Sequence, residues 1–130
     1  MKNIRTLSLI AAALVAGCAA NSEVKNTEIA PVALTKMQLQ ELLINHTFPF
    51  PKGGMFFTSD TAATVHWDGK NEDTTWYATD DSKFCYTVEL FGGAEECLGL
   101  RKMASGDYLR EFEGKTIPVK ASDIKEGKTF

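Results

Sequence analysis

The stretch DSKFCYTVELFGGAEECLGL, residues 81–100, holds two cysteines twelve positions apart with a Gly-Gly pair between them. Aromatic and β-branched residues flank the glycines, which is the pattern of a β-hairpin. A shift of one residue in the pairing of the two arms would move every side chain to the other face of the sheet. The register of this hairpin therefore decides how the surrounding fold is built.

Two registers are open to the hairpin. If Cys85 lies opposite Cys97, the loop is residues 90–92, and Gly92 takes the left-handed conformation that a three-residue loop requires. If the turn is the pair Gly92-Gly93 alone, the cysteines fall on opposite faces and cannot bond directly. We favour the first register, which also sets Phe84 opposite Leu98 as an apolar pair on the core face.

The beginning of the chain has the features of a bacterial lipoprotein signal. A short basic segment precedes an apolar run at residues 7–15, which is too short to span a bilayer as a stable anchor. The next residues, Val15-Ala16-Gly17-Cys18, resemble a lipobox, which implies removal of the preceding segment and acylation of the cysteine. We therefore predict a signal peptide at residues 1–17 and lipidation of Cys18, because several acyl chains give stable membrane anchoring.

The residues after Cys18 indicate where the lipoprotein is sorted and how it is organised. The position that follows the cysteine is Ala19, and the absence of aspartate there favours the outer membrane, facing the periplasm. Residues 18–33 are mostly small and polar without periodicity, and we interpret them as a lipidated tether. Residues 34–130 then form a single small domain.

The predicted mature protein is acidic. Removal of residues 1–17 takes away two basic residues and no acidic one, which moves the formal net charge from −3 to −5. An acidic domain without a basic stripe is a poor partner for nucleic acid. We therefore exclude nucleic acid as a partner and expect the membrane contact to be made through the lipid anchor.

Lipidation of Cys18 would leave Cys85 and Cys97, a number that allows one pairing. In the oxidising compartments outside the cytoplasm such pairs usually bond. A zinc site would need two further ligands, for which the sequence offers His46 and His66 without any CxxC or HxxxH spacing. We predict a structural Cys85–Cys97 disulfide, no metal site and no cofactor.

The segment after the tether carries helix signals. Thr35 fits the N-cap position, and Gln38 completes a capping box with it. Leucines follow at helical spacing, which predicts a helix of about ten residues that covers one mouth or edge of the domain. The leucines on its core-facing side are Leu39, Leu42 and Leu43.

Turn signals recur about every ten residues after Pro51, and short aromatic and β-branched runs lie between them. This spacing predicts a mainly β fold, an antiparallel meander of about six to eight strands that forms a curled sheet or small barrel. Pro118 lacks an N–H donor, so its strand should lie at an edge. The runs are MFFT, ATVHW, TTWYAT, FCYTVEL, ECLGLRK, YLREF and TIPV.

Some aromatic side chains should lie on the surface. Trp76 and Tyr77 are adjacent in a predicted strand, so they must point to opposite faces, and Phe91 lies at the predicted hairpin tip. Exposed aromatic groups of this kind either form a contact surface or are scattered surface residues without a role. We predict a contact surface that includes Trp76, Tyr77 and Phe91.

The sequence contains no convincing catalytic constellation. A relay from His66 to a serine can be drawn, but the candidate serines lie in turns where they have local hydrogen-bonding roles. The carboxylates also lie in or beside turns, where a solvated rim is the ordinary explanation; they are Asp80, Asp81, Glu89, Glu95 and Glu96. We predict no catalytic residue and no enzymatic activity.

A series of short motifs runs from the helix onward over roughly residues 35–112: a Leu-rich helix at 39–43, Thr74-Thr75-Trp76, Asp80-Asp81, Phe84-Cys85-Tyr86 and Glu96-Cys97. In this order the motifs resemble a family of short exported proteobacterial proteins whose function is not established. The resemblance implies an exported domain, carried here as a lipoprotein. It implies no activity and no catalytic residues.

Together these features predict an outer-membrane-tethered periplasmic lipoprotein that acts as a non-catalytic binding or envelope-maintenance module with an envelope protein as partner. The alternative is a proteinaceous inhibitor of a cell-wall-degrading enzyme such as lysozyme, since an acidic domain would associate rapidly with a basic enzyme. A carrier of small apolar ligands ranks below both, because the aromatic side chains should leave little interior room. The sequence does not define an oligomeric state.

Overall fold

The computed structural model describes residues 30–130. These residues form one helix and ten β-strands joined in antiparallel pairs, which confirms the mainly β, curled-meander prediction. The elements are β1 (Val32–Ala33), α1 (Lys36–Leu43), β2 (His46–Phe50), β3 (Gly53–Phe57), β4 (Ala62–Trp67), β5 (Lys70–Ala78), β6 (Lys83–Thr87), β7 (Glu95–Lys102), β8 (Tyr108–Phe112), β9 (Lys115–Val119) and β10 (Lys125–Glu126).

The strand count exceeds the predicted six to eight. The seven runs found in the sequence correspond to β3 to β9, whereas β1, β2 and β10 were not predicted. Strands β1 and β10 contain two residues each, too few to show an alternating pattern. Strand β2 contains Pro49, which weakens its strand signal.

The sheet follows the order β10-β2-β3-β4-β5-β6-β7-β8-β9, and β1 pairs with β7 outside this path, so consecutive strands are neighbours except at β1 and β10. If the sheet were flat, its outer strands would lie about 38 Å apart. Residues 120–124 nevertheless join β9 directly to β10, and a connection of that length reaches about 20 Å at most. The two edges are therefore held near each other, and the sheet curls into a half-barrel.

Ring contacts across the interior show the same curvature. Phe48 on β2 and Phe84 on β6 have ring centroids 5.4 Å apart, although three strands separate them in the sheet order. Phe57 packs against Phe84 from the side at 5.5 Å. These rings fill the centre of the half-barrel, where all three side chains are fully buried.

Helix α1 begins with the predicted capping box. The Thr35 hydroxyl accepts from the Gln38 amide at 3.1 Å, and the Gln38 side chain accepts from the Thr35 amide at 2.9 Å. The helix is shorter than predicted, because it ends at Leu43 and Asn45 takes a left-handed conformation. Its buried leucines, Leu39 and Leu43, pack in the core, and the helix contacts β2, β5 and β6.

The central hairpin has the favoured register. Cys85 lies opposite Cys97 and the two are joined by a disulfide, with their Cα atoms 4.0 Å apart. Phe84 lies opposite Leu98 on the core face as predicted. The prediction of a three-residue loop was wrong. The pairing ends at Thr87 and Glu95, so residues 88–94 form a longer connection.

The domain begins earlier than predicted. Val32 and Ala33, assigned above to the tether, pair with β7 opposite Lys102 and Arg101. The predicted signal peptide at residues 1–17, Cys18 and most of the predicted tether lie outside the described residues. Within residues 30–130, no helix has the length and apolarity needed to cross a bilayer.

Pro118 lies in β9 at an edge of the sheet, as its missing N–H predicts. It pairs with Leu109 on one side only. At the opposite edge, β10 covers part of β2 through the pairs Lys125–Thr47 and Glu126–His46. Short or proline-containing strands thus limit the exposed pairing groups at both edges.

Candidate ligand-binding site

A pocket of about 430 Å³ opens at the end of the half-barrel where β2 and β6 finish. The strands β2 and β6 begin near α1, so the helix covers one end of the half-barrel and the pocket occupies the other. The aromatic side chains therefore leave more interior room than the sequence analysis expected. The lining residues include Phe50, Trp67, Tyr86, Phe91, Glu96 and Arg110.

Four aromatic rings form one cluster beside the pocket. Phe91 lies at its centre, with ring centroids 5.1 Å from Trp67, 6.0 Å from Phe50 and 6.2 Å from Tyr86. The rings of Phe91 and Trp67 meet nearly at right angles, at 85°. Edge-to-face contacts of this kind stabilise an aromatic wall.

The position of Phe91 depends on the loop of residues 88–94. The Glu72 carboxylate of β5 accepts from the Glu89 amide at 2.7 Å and from the Leu90 amide at 2.9 Å. These bonds hold the start of a short 3₁₀ turn, Glu89–Phe91, which ends at Gly92 with φ of 102°. The carboxylate is thus a positioning group that directs Phe91 into the pocket and away from solvent.

Tyr86 and Glu96 form a polar wall in this aromatic site. They lie directly opposite each other on β6 and β7. Burial, with the charge and hydrogen bond of Glu96, raises the pKa of Tyr86 well above its usual range, so the hydroxyl keeps its proton. Burial also raises the pKa of Glu96, against the opposing effect of the hydrogen bond from Tyr86. The pair is therefore a neutral donor next to a carboxyl group whose ionisation is disfavoured by burial.

Arg110 brings a positive charge to the same pocket. It lies on β8 opposite Leu100, whose fully buried side chain marks the core face. Its Nε atom is buried and has no hydrogen-bond partner. Across residues 30–130, no carboxylate oxygen lies within 4.0 Å of its guanidinium nitrogens, and the ion pair found there joins Lys83 to Asp81.

The three aromatic residues predicted as a contact surface lie in different environments. The prediction that Trp76 lies on the surface was wrong. Its side chain is 2% exposed, packs on Phe57 and donates from Nε1 to the Ser59 carbonyl. Tyr77 is 46% exposed on the outer face, where its hydroxyl donates to Glu95 at 2.9 Å. Phe91 lines the pocket.

The remaining candidates for chemistry are not brought together. His66 contacts Asn71 at 2.6 Å and stacks on Phe130, whereas His46 contacts the Ile44 carbonyl at 2.9 Å. Within the described part of the chain, no group of three or more His, Cys, Asp or Glu residues could hold a metal ion. The disulfide lies on the outer face, away from the pocket.

Sequence reasoning missed Glu96 and Arg110 as site residues. Glu96 was assigned to a solvated rim, although the favoured register already placed it on the same face as Leu98. Arg110 alternates with Tyr108 and Phe112 in the run YLREF, so it shares a face with two aromatic residues. A charged residue on an aromatic face of a strand was the sequence signal that could have identified Arg110 as a site residue.

The comparisons with known proteins add no relative to this description. No family model, no curated protein and no solved structure matches the chain. The resemblance to short exported proteobacterial proteins therefore stays a prediction from the motifs quoted above.

Proposed function

We propose that this protein is a lipid-anchored envelope lipoprotein whose β domain binds a small apolar molecule in the aromatic pocket without transforming it. The observation that carries the proposal is the pocket of about 430 Å³ lined by Phe50, Trp67 and Phe91. Concave sites of this size, mostly apolar with a few polar groups, are typical of small-molecule binding.

Two features of the pocket favour binding over catalysis. Of the lining side chains in the described residues, Glu96 supplies the single carboxylate, so no pair of carboxylates is available for coupled acid and base steps. The histidines lie elsewhere, engaged with Asn71 and with the Ile44 carbonyl. A binding module of this kind corresponds to the carrier that the sequence analysis ranked lowest.

Anchoring at the outer membrane is part of the proposal. It is supported by the lipobox-like sequence at residues 15–18 and by Ala19 after the cysteine. A tethered carrier would keep its pocket within reach of molecules that leave or enter the membrane. The anchor supplies location, and the pocket supplies the binding chemistry.

The test is direct binding of phenylnaphthylamine, a neutral apolar dye that fluoresces in dry environments. The protein is the full chain with Cys18→Ala, purified without detergent so that micelles do not take up the dye. We expect saturable binding of one dye per chain. Dye binding should quench Trp67, and it should still do so in Trp76→Phe, where Trp67 is the remaining tryptophan.

Two matched aromatic truncations locate the binding. Phe91→Ala removes a ring from the pocket wall and should weaken dye binding about tenfold or more, since burial of a phenylalanine contributes about 1.5–3 kcal/mol. Tyr77→Ala removes a ring from the outer face and should leave dye affinity unchanged. Absence of saturable binding by the folded protein, or equal losses in the two variants, would overturn the proposal.

A further inference from the structure

We infer that the ligand of this pocket is an amphipathic carboxylate, whose head group binds the Arg110 guanidinium and whose apolar body lies against the aromatic cluster. This inference rests on the proposed apolar-ligand function and specifies its substrate class. It is carried by the chemistry of Arg110 and by the arrangement of the groups around it.

Arg110 has a buried donor without a hydrogen-bond partner. Its Nε atom is buried without a hydrogen-bond partner, and its guanidinium has no carboxylate within 4.0 Å among residues 30–130. Buried polar groups are nearly always paired, so a specific exception needs an explanation. The Arg110 side chain as a whole is partly buried, and a ligand that pairs with its buried Nε–H recovers the cost of leaving that donor unpaired.

The shape of the Arg110 guanidinium indicates which chemical group would pair with it. A guanidinium presents its donors in a planar fork that matches the two oxygens of a carboxylate. Glu96 lines the same pocket, but its carboxylate oxygens do not lie within 4.0 Å of the Arg110 guanidinium nitrogens. The acid that lines the pocket thus leaves the fork of Arg110 unpaired, and the carboxylate of a ligand would fill it.

The apolar lining of the pocket indicates what the rest of the ligand would be. Phe50, Trp67 and Phe91 form one side of the pocket, and Leu90, Leu98 and Phe112 also line it. An inorganic anion or a small polar acid would leave these apolar surfaces in contact with water. A molecule with an apolar chain or ring and a terminal carboxylate covers the apolar surfaces and the guanidinium together.

The experiment compares dodecanoate, dodecanol and dodecylamine as competitors of phenylnaphthylamine, again with the full Cys18→Ala chain. The three share an apolar tail and differ in head-group charge. We expect dodecanoate to bind about tenfold or more tightly than dodecanol, with dodecylamine weakest. Equal binding of the acid and the alcohol, or tightest binding of the amine, would overturn the inference.

Arginine variants identify the group responsible. Arg110→Gln should abolish the preference for dodecanoate over dodecanol, and Arg110→Lys should keep part of it, because the charge remains and the fork is lost. Arg101→Gln is the matched control, since Arg101 lies one residue from Leu100 on the same strand and faces the other side of the sheet. A preference that survives in folded Arg110→Gln would contradict the assignment.

The two proposals fail in distinguishable ways. If phenylnaphthylamine binds and Phe91→Ala weakens it, the apolar pocket stands, whatever the head-group comparison shows. If the dye binds equally to wild-type protein and Arg110→Gln while dodecanoate shows no preference, the carboxylate inference alone is wrong. Absence of dye binding by the folded wild-type protein would overturn both proposals.

Discussion

Tyr86 lies directly opposite Glu96 across β6 and β7, and the two side chains form the polar part of an otherwise aromatic wall. Burial makes the ionised form of Glu96 unfavourable, so its pKa in the folded protein is raised above the value in the unfolded chain. The same carboxylate that shapes the pocket therefore opposes folding when it is ionised.

The first prediction concerns Glu96→Gln and pH. For a carboxyl whose folded pKa is raised, the favourable contribution is present below the unfolded pKa and is lost as pH rises through the folded pKa. Glu96→Gln should therefore be more stable than wild type at neutral pH, and the difference should shrink toward acid. Urea unfolding at several pH values measures it. Glu41→Gln, on the exposed face of α1, is the control.

An unchanged difference between Glu96→Gln and wild type across that pH range would show that burial of Glu96 does not affect stability. At pH values where Glu96 is ionised, the same variant should also bind dodecanoate more tightly, because it removes a negative charge from the pocket that contains Arg110.

The second prediction concerns the disulfide. Cys85 and Cys97 close a loop with a sequence separation of twelve, and in the chain-entropy account such a loop contributes about 2–3 kcal/mol. The double variant Cys85→Ala/Cys97→Ala should lose that amount in urea unfolding and keep its pocket, because the cysteines lie on the outer face. Wild-type protein treated with a thiol reductant is the comparison, and stability equal to the oxidised protein would contradict the prediction.

The third prediction concerns Ser82, which is buried although it is polar. Its hydroxyl accepts from the Leu34 amide at 2.8 Å and donates to the Leu100 carbonyl, so it joins the start of the domain to β7. Ser82→Ala should cost about 1–3 kcal/mol, because both buried backbone groups lose a partner. The exposed Ser122→Ala should be neutral, and Ser82→Ala should also speed hydrogen exchange at Leu34.

The fourth prediction concerns Gly53 in β3. A Cβ atom there would lie 1.9 Å from the His66 carbonyl oxygen on the neighbouring strand, a contact that only backbone movement can relieve. Gly53→Ala should therefore lower stability by about 2 kcal/mol or more. Gly69→Ala, in open space at φ of +83°, should cost about 1–2 kcal/mol through backbone strain alone. Thermal unfolding of the two variants would show whether the strand contact is the larger effect.

The fifth prediction concerns Cys18. If the lipobox-like sequence is used, wild-type protein should incorporate labelled palmitate and enter the detergent phase on phase partitioning. Cys18→Ala should do neither, while Cys85→Ala/Cys97→Ala should still be labelled. Labelling that persists in Cys18→Ala would contradict the predicted anchor.

The parts of the fold that were predictable are those governed by local chemistry. The N-cap pair Thr35 and Gln38, the edge position of Pro118 and the Cys85–Cys97 register each follow from a hydrogen bond, a missing donor or a side-chain alternation. Each of these signals is complete within a few residues of sequence. They need no knowledge of distant contacts.

The parts that were missed depend on contacts between distant segments. Phe91 turns inward because Glu72 holds the backbone of its loop, and Trp76 is buried because its indole reaches the Ser59 carbonyl. No pattern within the loop or strand alone contains those partners.

The pairing of β10 with β2 has a consequence for how the protein is made. Lys125 pairs with Thr47, so the outer edge of β2 meets its partner only after nearly the whole domain has been delivered. During N-to-C-terminal synthesis or export, that edge presents free backbone donors and acceptors, which are the groups that pair wrongly with other chains. The interval before residues 125 and 126 arrive is therefore when this edge of the sheet is most exposed to aggregation.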